Sequence, residues 1–158
     1  MSYLTQKTIK KVVSFRGVAL HSGLNVNIQI KPAAENFGIV FKRTDLSKNN
    51  IIYPNFMNVT NTSLNTTVEN EFGAKVSTIE HLMGALFGLG IDNVLIEIDN
   101  EEVPILDGSA KIFIEKIIEA GVENTNEPIK IIKINKEIKY SDGERFISIK
   151  PSTLSLDI

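Results

Sequence analysis

The sequence predicts an α+β fold, a two-layer sandwich with a mixed β-sheet packed against two α-helices. Three observations predict it. "LNVNIQIK" (Leu24 to Lys31) alternates cleanly, with Leu24, Val26, Ile28 and Ile30 on one face. Ile79, Leu82, Met83, Leu86 and Leu89 recur at helical spacing, and Gly90 is placed to stop that helix. The elements then follow in the order strands, helix, strand, helix, strands.

Taken in order, Thr8 to Phe15 is β-branched and apolar enough for a strand. "RGVALHSG" follows and holds His21 between Gly17 and Gly23. The alternating strand ends at Pro32, and "GIVFKR" (Gly38 to Arg43) reads as a third strand. Thr44 to Asn65 is polar and rich in turn residues. Thr66 to Glu69 and Ala74 to Val76 form a hairpin around Glu71-Phe72-Gly73. A helix spans about Thr78 to Leu89, a strand Asn93 to Asp99, and a second helix Ser109 to Ala120, stopped by Gly121. Ile112, Phe113, Ile117 and Ala120 supply the buried side of that second helix. "ENTNEP" (Glu123 to Pro128) reads as a loop. Three strand candidates close the chain: Ile129 to Lys139, Arg145 to Lys150 and Thr153 to Ile158, with a turn at Ser141-Asp142-Gly143. The chain stops inside the strand-like "TLSLDI", as though more were to follow.

Composition bounds the function. The chain of 158 residues is of single-domain size, and 42% hydrophobic residues are enough for a core. A net charge of −2, with the lysines dispersed, gives no footprint for nucleic acid or a polybasic membrane patch. The absence of cysteine removes disulfides, thiolate catalysis and Cys-containing metal sites. No signal peptide and no transmembrane segment is read, so a cytoplasmic, soluble protein is expected. Three glycosylation sequons between Asn58 and Thr67 are taken as accidents of an Asn/Thr-rich loop.

The chemistry concentrates in "STIEHLMGAL" (Ser77 to Leu86), which sets Glu80 beside His81, one of only two histidines. Ser77 and Glu80 fit a capping box, and an acid in the first turn suits the helix dipole. His81 falls where a hydrophobic staple would want an apolar residue, and the positive pole of a helix start favours an unprotonated ring. Neutral imidazole is the form that binds a metal, although a partly buried histidine bonded to a carbonyl explains the residue equally well. Neighbours on a helix point about 100° apart, so the two side chains would not chelate one ion together. If His81 held a metal, Glu80 would stand to one side, placed for water, as in metal-assisted hydrolysis. A catalytic zinc takes about three protein ligands, and spacing places no others here. The residues alone therefore reach half of a metal site, and a non-catalytic binding or scaffolding domain of the same fold stands as the alternative.

Several motifs resemble one family in order and spacing. They are "GVALHSG" (Gly17 to Gly23), "FKRTDL" (Phe41 to Leu46), "NTSLNT" (Asn61 to Thr66), "STIEHL", "GLGIDN" and "PILDGSA" (Pro104 to Ala110). Together they are similar to the UDP-3-O-acyl-N-acetylglucosamine deacetylase (LpxC) family of lipid A biosynthesis. The resemblance implies a zinc-dependent cytoplasmic amidohydrolase that removes acetate from UDP-3-O-(3-hydroxyacyl)-N-acetylglucosamine. It implies Glu80 as the general base toward water and His81 as a Zn2+ ligand. It places His21 near the active site, toward polar substrate groups or the local electrostatics, and Thr62 and Leu64 along the approach to the metal. Asp107 matches a family acid, read as a structural residue or one supporting the site from behind, with a cap of the second helix at Asp107 or Ser109 as the competing reading. The resemblance further implies that residues 1–158 are the first of two similar domains packed face to face. The second domain would supply the remaining zinc ligands from an H-K-x-x-D segment, the later catalytic histidine and lysine, the oxyanion threonine and most of the acyl passage. None of these occurs here, "FISIKPSTLSLDI" resembles the end of the first domain, and the chain alone is expected to be inactive.

Overall fold

The computed structural model describes residues 4–152 and divides the chain into two compact units, Met1–Pro128 and Ile129–Ile158. The fold is α+β. In chain order the first unit runs β1 (Thr5–Ile9), β2 (Val13–Val18), β3 (Asn25–Pro32), β4 (Ile39–Arg43), β5 (Ile51–Ile52), β6 (Val59–Asn61), β7 (Thr67–Glu69), β8 (Lys75–Val76), α1 (Glu80–Leu89), β9 (Val94–Ile98), α2 (Lys111–Ala120) and β10 (Val122–Pro128). The second unit holds the hairpin β11 (Ile138–Asp142) and β12 (Arg145–Ile149).

The main sheet has five strands in the order β2-β3-β9-β4-β5. It is mixed, because β4 and β9 run parallel while the other pairs are antiparallel. The alternation expected of β3 is realised: Val26, Ile28 and Ile30 are buried, while Asn25, Asn27 and Gln29 face outward. Leu24 lies outside the strand and is exposed. The inward face shares one core with both helices, through Leu82 and Leu86 of α1 and Phe113 and Ile117 of α2. Phe113 meets Phe15 of β2 with ring centroids 4.9 Å apart at 55°. On the outward face Glu97 of β9 pairs with Lys31 at 2.5 Å and Lys42 at 3.2 Å.

Several expected elements move. Thr8 to Phe15 is two strands, because the exposed Lys10, Lys11 and Val12 interrupt the run where the chain changes sheets. β1 pairs with β10, so the polar "ENTNEP" segment is a strand and not a loop. Its side chains are mostly exposed; what holds it is the backbone ladder from Thr5↔Pro128 to Ile9↔Val122. The polar stretch after β4 carries β5, a 3-10 turn over Phe56–Asn58 and β6, the last joined to the expected hairpin as a three-stranded sheet β6-β7-β8. The helices begin later than expected, α1 at Glu80 and α2 at Lys111. In the second unit residues 129–137 are not a strand, and β11 begins at Ile138. The turn falls at Gly143-Glu144, with Gly143 at φ +58°. The strand expected over Thr153 to Ile158 lies outside the described residues.

Candidate active site

The site is built around the first turn of α1. The capping box expected there does not form. Thr78 sits in the left-handed region at φ +54°, which breaks the run ahead of the helix. Ile79 occupies the N-cap position without a side-chain cap. Ser77 turns away instead: its N–H and Oγ both donate to the Glu101 carbonyl, at 2.9 and 3.1 Å. Glu80 reaches sideways, not back, and its Oε2 accepts from the Thr66 amide at 3.1 Å. Oε1 accepts no hydrogen bond from the described residues.

His81 is half-buried. Its Nδ1 is buried with no hydrogen-bond partner, the one such side-chain atom among the described residues. An orphaned buried ring nitrogen is costly, and in native proteins it calls for a partner supplied by function. Imidazole nitrogen suits zinc, so His81 fits one ligand position. No three His, Asp or Glu side chains among the described residues converge as a ligand set. Among the described residues His81 is thus a candidate metal ligand without the rest of a set.

The loop before β7 abuts the same turn. Ile79 N–H donates to the Thr66 carbonyl at 3.4 Å, so the segment carrying Thr62 and Leu64 leads directly to Glu80. Thr62 is exposed, and Leu64 is 89% exposed in a left-handed conformation at φ +64°. A large apolar side chain held out in a strained backbone is a feature for contact, not for packing.

His21 lies on the tight turn between β2 and β3, closed by Ala19 N–H to the Leu24 carbonyl at 2.9 Å. Its ring is exposed. Its backbone amide donates to Glu102 Oε1 at 2.9 Å, and that of Ser22 to Glu102 Oε2 at 2.8 Å. Thr78 Oγ1 donates to the same Oε1 at 3.0 Å. Glu102 is 2% exposed. Burial pushes its carboxyl up, but the two amides and the Ser22 and Thr78 side chains outweigh that and hold it below the ordinary glutamate value. Reading the sequence missed Glu102. Its only signal was its place between the "GLGIDN" and "PILDGSA" motifs.

Asp107 lies in the loop that leads into α2. It is exposed and accepts from Ser109 N–H at 3.1 Å and Ser109 Oγ at 3.0 Å, while Ser109 Oγ accepts from Lys111 N–H at 3.0 Å at the start of α2. Leu106, just before it, packs against Gly17. A Cβ on Gly17 would lie 3.0 Å from Leu106 Cδ2 and 3.1 Å from Pro104 Cβ, so a larger residue would need the two segments to give by a few tenths of an ångström.

Hydrogen bonds thus tie the His21 turn to Thr78 through Glu102, and Glu80 to the Thr66 amide, while Asp107 lies just before α2. A carboxylate and an imidazole at successive positions of a helix start are groups that can move a proton and bind a metal. The comparisons with known proteins give the chain its family. The model of the family described as LpxC, UDP-3-O-acyl N-acetylglycosamine deacetylase, matches residues 6–158, and the chain belongs to that family. Relatives named UDP-3-O-acyl-N-acetylglucosamine deacetylase include that of Nautilia profundicola, 45% identical over 94% of this chain and 50% of its own length. That of Wolinella succinogenes is 44% identical over 97% of this chain and 50% of its own length. That of Aliivibrio fischeri is 42% identical over 94% of this chain and 48% of its own. The chain spans about half the length of the curated relatives it matches.

Proposed function

We propose that this chain is the N-terminal part of a zinc-dependent deacetylase that hydrolyses the acetamide of UDP-3-O-(3-hydroxyacyl)-N-acetylglucosamine, releasing acetate, in lipid A biosynthesis in the cytoplasm. The observation that carries the reading is the pair at the start of α1: an orphaned, buried imidazole nitrogen on His81 next to a carboxylate on Glu80 anchored through one oxygen only. His81 holds the zinc, with the other ligands coming from a second, similar domain. When bound, the ion supplies Lewis acidity toward the amide carbonyl and lowers the pKa of water. Glu80 keeps Oε2 on the Thr66 amide, which fixes the carboxylate and leaves Oε1 to take the proton of the attacking water. The exposed rings and chains of Leu64 and His21 face the substrate's approach.

The surface of α1 supports a missing partner. Glu80, Gly84 and Phe87 recur at i, i+4 and i+7 and so share a face. Phe87 is 88% exposed there, and nothing lies within 4 Å of where a Gly84 Cβ would be. An apolar ring and an open backbone beside the acid suit a second domain closing over the site. No helix among the described residues is long and apolar enough to cross a membrane.

Two measurements test the reading. The intact mass of the protein in its source cell is expected to be about twice the 17.5 kDa of this chain. The full-length protein is expected to hold one zinc and release acetate, this chain alone to do neither, and a correctly folded second half added in trans to restore both. A full-length protein without zinc or acetate release, or a chain left inert by its second half, would leave a binding or scaffolding domain as the reading.

A further inference from the structure

The segment Glu101–Ile105 is a strap stitched to two places that sequence distance keeps apart. On one side Ser77 pairs with Glu102 in a parallel bridge, closed by Ser77 N–H to Glu101 O at 2.9 Å and Val103 N–H to Ser77 O at 3.0 Å. On the other, Pro104 bridges Ala19, and Ile105 N–H donates to Val18 O at 3.0 Å. Glu102 is the side chain at the centre. Both of its oxygens accept a backbone amide of the His21 turn, and one also accepts the hydroxyl of Thr78, the left-handed residue that sets where α1 begins. A β-branched residue keeps a positive φ only when its surroundings over-determine it. Thr78 is 3% exposed, and its hydroxyl bond to Glu102 is its only side-chain hydrogen bond to the described residues.

We infer that Glu102 is a positioning residue that joins the His21 turn to the first turn of α1 and so fixes Glu80 and His81 relative to His21. The inference rests on the deacetylase reading and deepens it, because an amidohydrolase needs its proton acceptor and its substrate-facing groups held in one geometry. Glu102 touches neither substrate nor metal in this role. It acts through Thr78 on one side and through the His21 and Ser22 amides on the other. Glutamine cannot replace it: one of its two oxygens would become an NH2 group facing a backbone N–H.

The test uses the full-length protein, its zinc, and the variants Glu102→Gln, Thr78→Val and Thr78→Ser. Thr78→Val keeps the branched shape and removes only the hydroxyl, so it stands in where Glu102→Gln fails to fold. At a temperature well below each variant's Tm, Glu102→Gln and Thr78→Val are expected to lower kcat about 10- to 100-fold with KM within about twofold. Zinc affinity, read by competition with a chromophoric chelator, is expected to fall by about the same factor. Thr78→Ser is expected to restore both. Folded variants with parental kcat and zinc affinity would overturn the inference and leave Glu102 a fold residue. A parent that binds zinc but releases no acetate would overturn the substrate reading instead, and Glu102 would then be judged on zinc affinity alone.

Discussion

Both helices of this chain start at an uncapped N-cap residue, but the bonds around the two starts differ: local at α2, distant at α1. α2, whose N-cap Ala110 carries no side-chain cap either, is supported locally, by side-chain bonds running from Asp107 to Ser109 to the Lys111 amide. α1 has the better capping sequence on paper, yet no side chain caps it. Ser77 is committed to the strap, Thr78 to a left-handed conformation, and Glu80 to Thr66. A helix start that gives up its own caps to bonds with distant segments is organised for the geometry of the site, not for helix stability. The difference between the two starts separates a fold element from a functional one with no appeal to motif.

The largest expected effect sharpens that difference. Glu80→Gln in the full-length protein keeps an acceptor for the Thr66 amide and loses the base. Acetate release is expected to fall roughly a hundred- to ten-thousand-fold while Tm hardly moves. A comparable loss of stability, or near-parental turnover, would make Glu80 a cap after all.

Next in size comes the acid dependence of Glu102. Its carboxyl lies below the ordinary value in the folded chain, so its contribution to stability is present above the unfolded glutamate pKa and is lost as pH falls through the folded one. At neutral pH Glu102→Gln is expected to cost about 1.5–3 kcal/mol, the worth of hydrogen bonds to a buried charge. The gap to the parent should begin to narrow below about pH 4.5, where the carboxylate of the unfolded chain begins to protonate, and should close as pH falls through the lower value of the folded chain. Parallel unfolding curves for the two proteins between pH 3 and 7 would show that the strap does not depend on the charge.

What the sequence made legible follows the same division. The alternation of β3 and the helical spacing of α1 each put apolar side chains into one core, and period alone reveals that. β10 was read as a loop because its side chains take little part; the backbone ladder to β1 makes it a strand. The split between β1 and β2 follows from sheet pairing, which no local pattern reports. Within the site, Glu80 and His81 are neighbours in sequence, so the pair is visible in the sequence itself. Glu102 meets residues 81, 80 and 24 positions away, and a bond of that span leaves no periodicity to read. The capping box that Ser77 and Glu80 predict does not form for the same reason: the local partner is available, and the long-range partners Glu101 and Thr66 win.

The smallest expected effect tests the ordinary helix. Ser109→Ala removes the acceptor of the Lys111 amide and the donor to both oxygens of Asp107. Losing a local side-chain bond of this kind costs about 1 kcal/mol. The loss should be local, because Ser109 holds only the first turn of α2, while Phe113 and Ile117 anchor the helix in the core. Hydrogen exchange is expected to speed up at Lys111 and the next few amides and to stay unchanged at Leu82 to Ala85 in α1. If both helix starts loosen together, they are one cooperative unit and the contrast drawn between them fails; if only α2 frays, α1 owes its start to the strap and the Thr66 segment.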